Sequence, residues 1–188
     1  MGDEILDQQK RPSTGLGERL KGCTLFFVAL VVIGLDQYTK HLVREGLELG
    51  TSHNPLSWLE PIVTLTHVRN TGAAFGLFPG MQYFFAAVAL VVVALIVVYH
   101  RQLTDDSFFL HMAFGLQLGG ATGNLIDRIL QGYVTDFIDF RVWPVFNVAD
   151  SAVVVGTILL VYYTFFLSAP AESESDMESL DSEIARGC

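Results

Sequence analysis

The sequence predicts a mainly α membrane protein, with four transmembrane helices and a small extracytoplasmic, β-containing platform between helices 1 and 2. Three observations carry that expectation. Hydrophobic residues make up 51% of the 188, against 16% charged. The apolar residues fall into four long stretches rather than the short amphipathic periods of a soluble core. One connection between those stretches is long and contains a β-branched run.

Crossing the hydrocarbon takes about 20 apolar residues at about 1.5 Å rise each. The first stretch, Gly22 to Leu35, reaches that length only by continuing through Asp36 towards Leu42. It reads as a retained helix, because a cleaved signal peptide would have an unusually long leading region and shows no convincing small-x-small site. The second span, around Tyr83 to Tyr99, is almost pure Ala, Val, Leu and Phe. The third, Ser107 to Ile126, is free of Asp, Glu, Lys and Arg and ends at Asp127, and the fourth runs from about Val148 to Leu167 with Asp150 near its start. Gly115, Gly119 and Gly123 recur every four residues, a stripe for close packing of helix 3 on a neighbour.

Between helices 1 and 2, about residues 43–80, Ile62 to Val68 reads as a strand and Asn70-Thr71-Gly72 as a turn. The connection between helices 2 and 3, Arg101 to Asp106, is short and polar. Lys10, Arg11, Arg19 and Lys21 precede helix 1 and place the N-terminus in the cytoplasm by the positive-inside rule. Four spans then return the tail to the cytoplasm. Residues 1–21 form an N-terminal extension, and 168–188 an acidic tail with the composition of a disordered segment.

Several function classes fall away. The net charge is −9, and residues 169–188 hold six acidic side chains against Arg186 alone, so a nucleic-acid partner is not expected. Neither a GxxxxGK[ST] loop nor a GxGxxG turn occurs. Cys23 and Cys188 can build neither a disulfide framework nor a thiolate zinc site, and Cys23 reads as membrane-facing. The five histidines show no ligand spacing, so neither metal nor cofactor is expected, and His111 reads as a satisfied polar contact.

With the N-terminus inside, Asp36, Asp127, Asp136, Asp139 and Asp150 all fall at the outer ends of helices or in the outer connection between helices 3 and 4. Ionisable groups at membrane depth are costly and usually mark function, although any single one could merely cap a helix. Asn124 and Asp127 share a helical face at i, i+3, and Asn147 and Asp150 repeat the spacing. Two carboxylates held close cannot both ionise cheaply, which leaves one acid and one base able to activate water. Ser151 beside Asp150 lacks the G-x-S-x-G context of a serine nucleophile.

Five motifs in order resemble the lipoprotein signal peptidase (signal peptidase II) family. They are Leu35-Asp36-Gln37-Tyr38-Thr39-Lys40, Asn70-Thr71-Gly72-Ala73-Ala74-Phe75-Gly76, the run from Gly119 to Arg128, Gly132-Tyr133-Val134-Thr135-Asp136-Phe137, and Phe146-Asn147-Val148-Ala149-Asp150-Ser151. The resemblance implies an intramembrane aspartyl endopeptidase that removes the signal peptide of bacterial prolipoproteins just before a diacylglyceryl-modified cysteine. It implies Asp136 and Asp150 as the catalytic dyad, with Asn124, Asp127, Arg128 and Asn147 as supporting polar residues. Asn70 would lie on a substrate-facing loop, and Asp36 and Lys40 would tie helix 1 to the site. The expected partners are prolipoprotein and membrane lipid, and the expected setting is a monomer in the cytoplasmic (inner) membrane with its active site at the outer leaflet. Thr135 stands where the family usually has valine, and the segment between Asp136 and Asp150 is short. A small tetraspan ion channel or proton-coupled carrier is the alternative, disfavoured because the acids gather at one level and the spans show no inverted repeat.

Overall fold

The computed structural model describes residues 16–54, 58, 62–72, 78–100 and 107–167; of residues 16–22 only the backbone is described. Helix α1 spans Leu16–Gly46, α2 Gln82–Tyr99, α3 Phe108–Leu130 and α4 Val148–Tyr162, which ends in a π turn over Tyr163–Leu167. Strands β1 (Ser52–His53), β2 (Thr64–Asn70) and β3 (Val134–Asp139) form one antiparallel sheet in the order β1-β2-β3. The connection at 101–106 and the acidic tail lie outside the described residues.

Among the described residues, three helical segments are long and apolar enough to cross a membrane: Cys23–Gly46, Gln82–Tyr99 and Val148–Leu167. The fourth expected span, α3, has the length at 23 residues but carries polar groups and glycines where the others carry Val and Leu. Its position explains that composition. Helix α3 is the central helix, packed against α1, α2 and α4, so part of its surface meets protein rather than the outside.

Glycine makes those approaches possible. A Cβ at Gly115 would lie 2.7 Å from the Leu25 carbonyl oxygen, and one at Gly119 2.7 Å from Val32 Cβ. At Gly123 it would lie 2.6 Å from Asp36 Oδ2, and at Gly120 it would collide with the Ala149 carbonyl. The stripe expected at 115, 119 and 123 therefore seats α1, while Gly120 seats α4. The facing stripe of α1 is buried at Leu25, Ala29, Val32, Asp36, Lys40 and Val43, the i, i+3/i+4 spacing of one helical face. That face is apolar in its first half and ionic in its second. Helix α2 has no buried residue and is apolar all round; it packs mainly on α3, with Val93 and Ile96 also against the cluster of Leu25, Ala29 and Leu118. Cys23 is exposed, as expected of an outward-facing position.

The platform departs from expectation in its extent. The strand expected at 62–68 is β2, but the sheet is not confined to the segment between α1 and α2: β3 comes from the connection between α3 and α4. Gly132 (φ +76°) lets the chain reverse just after α3, and β3 then pairs along β2 with Asn70 opposite Val134 and Val68 opposite Asp136. His67 Nδ1 donates to the Leu47 carbonyl at 2.8 Å, fastening the sheet to the end of α1. Thus β3 enters the sheet directly over the ends of α1 and α3.

Candidate active site

Asp136 lies in β3, a strand whose first four residues are all buried. Its Oδ1 accepts from Asn147 Nδ2 at 2.7 Å and its Oδ2 from Asn70 Nδ2 at 3.0 Å. Asp150 is held from the opposite side by α4. Asn147 and Asp150 form a reciprocal capping box: the Asp150 amide donates to Asn147 Oδ1 at 2.9 Å, and the Asn147 amide to Asp150 Oδ2 at 3.2 Å. Helix capping is thus one function of Asp150 but uses only one of its oxygens; the other, Oδ1, accepts from Asn124 Nδ2 at 2.7 Å. Asn147 Nδ2 also donates to Asn124 Oδ1 at 3.2 Å. Two asparagines therefore bridge the two aspartates, and a cavity of about 660 Å³ is lined by Asn70, Asn124, Arg128, Asp136 and Asp150 among others.

Beneath this bridge lies a buried ionic layer. Lys40, fully buried, reaches Asp36 Oδ2 at 2.8 Å, Asp127 Oδ2 at 3.4 Å and Asn124 Oδ1 at 2.9 Å. Asp36 Oδ1 accepts the Ala149 amide at 3.0 Å, which ties α1 to the first turn of α4. Asp127 Oδ2 accepts the Thr135 amide at 2.9 Å, fixing the residue before Asp136. Lys40 also fixes the sense of the Asn124 amide: its carbonyl oxygen faces two donors, so its NH₂ faces Asp150. Every site residue named from the sequence (Asp36, Lys40, Asn70, Asn124, Asp127, Arg128, Asn147) therefore gathers around Asp136 and Asp150. Asp139 does not, accepting instead from Thr66 Oγ1 at 2.9 Å and from the Arg141 amide. Ser151 Oγ is turned to the Asn147 carbonyl at 3.0 Å, and His111 Nδ1 donates to Ser107.

Two members of the layer, Arg44 and Gln37, escape sequence reasoning. Arg44 Nη1 lies 3.3 Å from Asp127 Oδ1 and donates to Thr135 Oγ1 at 3.1 Å. The hydroxyl at 135 thus gives the arginine an acceptor that valine would lack. Gln37 Nε2 donates to Asp36 Oδ2 and the Gly123 carbonyl, both at 3.1 Å. The position of Arg44, one turn beyond Lys40 on α1, was the available signal. Arg128, in contrast, does not neutralise Asp127; its guanidinium donates to the carbonyls of Gly72 (3.4 Å) and Asn124 (3.5 Å) at the cavity wall.

Burial and the nearby charge of Asp150 push the Asp136 carboxyl up to about 7, against the opposing pull of the Asn70 and Asn147 amides and Lys40. A carboxyl raised in the folded state stabilises the fold through its proton. That contribution is complete below about pH 4, the ordinary carboxylate range, and is lost as pH rises through about 7. Asp136→Asn removes this dependence. Melting temperatures in detergent should show the variant gaining on the native protein from pH 4 to 7, with a constant gap above; a gap independent of pH would contradict the raised carboxyl.

Comparison with known proteins agrees with this architecture. The family model described as Signal peptidase (SPase) II matches residues 28–166. The lipoprotein signal peptidase of Halothermothrix orenii is 45% identical over 139 residues, covering 74% of this chain and 93% of that protein. That of Moorella thermoacetica is 42% identical over 135 residues, covering 72% and 88%. A bacterial membrane enzyme solved by the in meso method superposes with a TM-score of 0.69 at 31% identity, covering 78% of this chain and 93% of that one. On a family match spanning residues 28–166, and on relatives matched over most of their length, the chain belongs to the signal peptidase II family.

Proposed function

We infer that the protein is an aspartic endopeptidase that removes the signal peptide from bacterial prolipoproteins, cutting just before a diacylglyceryl-modified cysteine. Family membership supports the activity. The observation that carries the mechanism is the pair of aspartates lining one cavity and joined through Asn124 and Asn147.

Asp136 begins the cycle protonated, since its carboxyl is raised to about 7. Asp150, in the first turn of α4, lies where the helix end carries partial positive charge and suits a carboxylate. Water in the cavity gives a proton to Asp150 as its oxygen attacks the scissile carbonyl carbon, while Asp136 protonates the carbonyl oxygen. The resulting gem-diol collapses: the C–N bond breaks, Asp150 returns its proton to the departing cysteine nitrogen, and a diol hydroxyl reprotonates Asp136. Atoms and protons balance, and both carboxyls end as they began. Asn70 and Asn147 hold Asp136, while Asn124 and the capping box hold Asp150. Arg128, at the cavity wall, is suited to bind the substrate backbone. The ionic layer of Asp36, Lys40 and Asp127 keeps the three supporting elements in register.

The channel or carrier alternative gains no support: among the described residues the buried carboxylates and Lys40 gather at and under this one cavity. The wider setting we propose is four spans with both termini cytoplasmic, α3 being the fourth, in the inner membrane as a monomer. The basic residues ahead of α1 support that orientation. The site then lies at the outer leaflet, where acyl chains can stay in lipid while the cysteine reaches the dyad.

The test is to incubate the purified protein with diacylglyceryl-modified and unmodified forms of one prolipoprotein. The modified form should be cut far faster, at the bond preceding cysteine. Equal cleavage of both forms would show that the acyl chains are not read; cleavage of neither would overturn the activity.

A further inference from the structure

A second cavity of about 270 Å³ adjoins the first at Asp136. The two share Asn70, Asp136, Pro144 and Val145 as lining residues, so both border the Asp136 carboxyl. Their chemistry differs. The larger cavity extends along Val153, Val154 and Val155 of α4, two of which are exposed on the outer face of an apolar helix. The smaller is bounded by Val68, Arg69, Asn70 and Thr71 of the β2 end and the turn after it. Arg69 is exposed and its guanidinium stacks 4.7 Å above the Tyr133 ring. Thr71 Oγ1 accepts the Gly80 amide at 3.3 Å, closing the far side.

A substrate cut between an apolar signal segment and a polar mature chain has to leave the dyad in two directions of opposite character. The valine-lined cavity suits the apolar side. An extended chain advances about 3.3 Å per residue, so the residues after the modified cysteine would pass directly into the smaller cavity. We propose that this smaller cavity is the subsite for the first residues of the mature lipoprotein, and that Arg69 makes it favour acidic over basic side chains there. The inference rests on the proposed activity and deepens it by assigning the chemistry of the mature side. Arg69 makes none of the hydrogen bonds and ion pairs described above to the dyad or the ionic layer, although its backbone lies opposite Thr135 in the sheet, so the ratio between two substrates, rather than the rate on one, is the quantity that reads its charge.

The experiment compares diacylglyceryl-cysteine substrates identical except for Asp-Asp or Lys-Lys directly after the cysteine, cleaved by the native protein, Arg69→Gln and Arg69→Glu. An exposed charge pair is worth about 0.2–1 kcal/mol, so kcat/KM should favour the Asp-Asp substrate by about 1.4- to fivefold, carried mainly in KM. The ratio should fall to about one in Arg69→Gln and invert in Arg69→Glu. The Gln variant, which adds no charge, keeps the test valid should the Glu variant fold poorly. The same ratio in all three proteins would overturn the subsite while leaving the activity standing. Failure of the native protein to cut either substrate would instead overturn the activity on which the subsite rests.

Discussion

Asp136→Asn and Asp150→Asn should each reduce prolipoprotein cleavage to near background while the protein still folds and binds substrate. General acid–base assistance is worth about 10²–10⁴ in rate per group, and each substitution is nearly isosteric. Asp136 meets two amide donors and Asp150 one amide donor and the helix cap, so an asparagine can keep part of each set after its own amide reorients. Asp139→Asn is the comparison. Its partners, Thr66 Oγ1 and the Arg141 amide, belong to the sheet and the turn after it, so turnover should stay close to native. Cleavage measured beside thermal stability separates loss of chemistry from loss of fold. A dyad variant with near-native cleavage would sink the mechanism.

Lys40→Met has the second largest effect, and it falls on folding. Lys40 is fully buried between Asp36 and Asp127, which are 0% and 1% exposed. Removing one partner of a buried ion pair costs about 3–5 kcal/mol, because the other charge is left uncompensated. Here two carboxylates lose their shared cation and only Arg44, at the edge of the layer, remains near Asp127. Asn124 also loses the nearer of the two donors to its carbonyl oxygen, leaving only Asn147 Nδ2 at 3.2 Å to hold the sense of its amide. The variant should melt far below the native protein in detergent and lose cleavage. Adding Asp36→Asn removes one stranded charge and should recover part of the stability. A Lys40→Met protein that melts like the native one would mean the layer contributes nothing to the fold.

The sequence carried this architecture unevenly, for physical reasons. Long apolar runs and the glycine repeat at 115, 119 and 123 are local patterns, and both correspond to what the helices do. The N-x-x-D spacings are local too, so Asn124 with Asp127 and Asn147 with Asp150 could be placed on shared faces before any contact was known. Strand β3 was missed because its identity is settled by a partner far away in the chain: Val134 pairs with Asn70 across an antiparallel register, which no local period reveals. Arg44 and Gln37 are not legible as site residues because their partners, Asp127, Thr135 and the Gly123 carbonyl, lie more than 80 residues away in the chain. The glycine stripe of α3 reads locally as a packing face, but which helices fill it, α1 at Gly115, Gly119 and Gly123 and α4 at Gly120, is settled only by the fold. Arg128, expected among the supporting polar residues, stands one turn after Asn124 and meets its carbonyl at the cavity wall.

The central claim is that Asp136 and Asp150 act as one unit on water. The most direct test measures kcat/KM on diacylglyceryl-modified prolipoprotein for Asp136→Asn, Asp150→Asn and the double variant. Groups that act together are grossly non-additive, so the double variant should be no slower than the slower single one. Losses that multiply, with the double variant slower by the product of the two single effects, would contradict a shared acid–base pair.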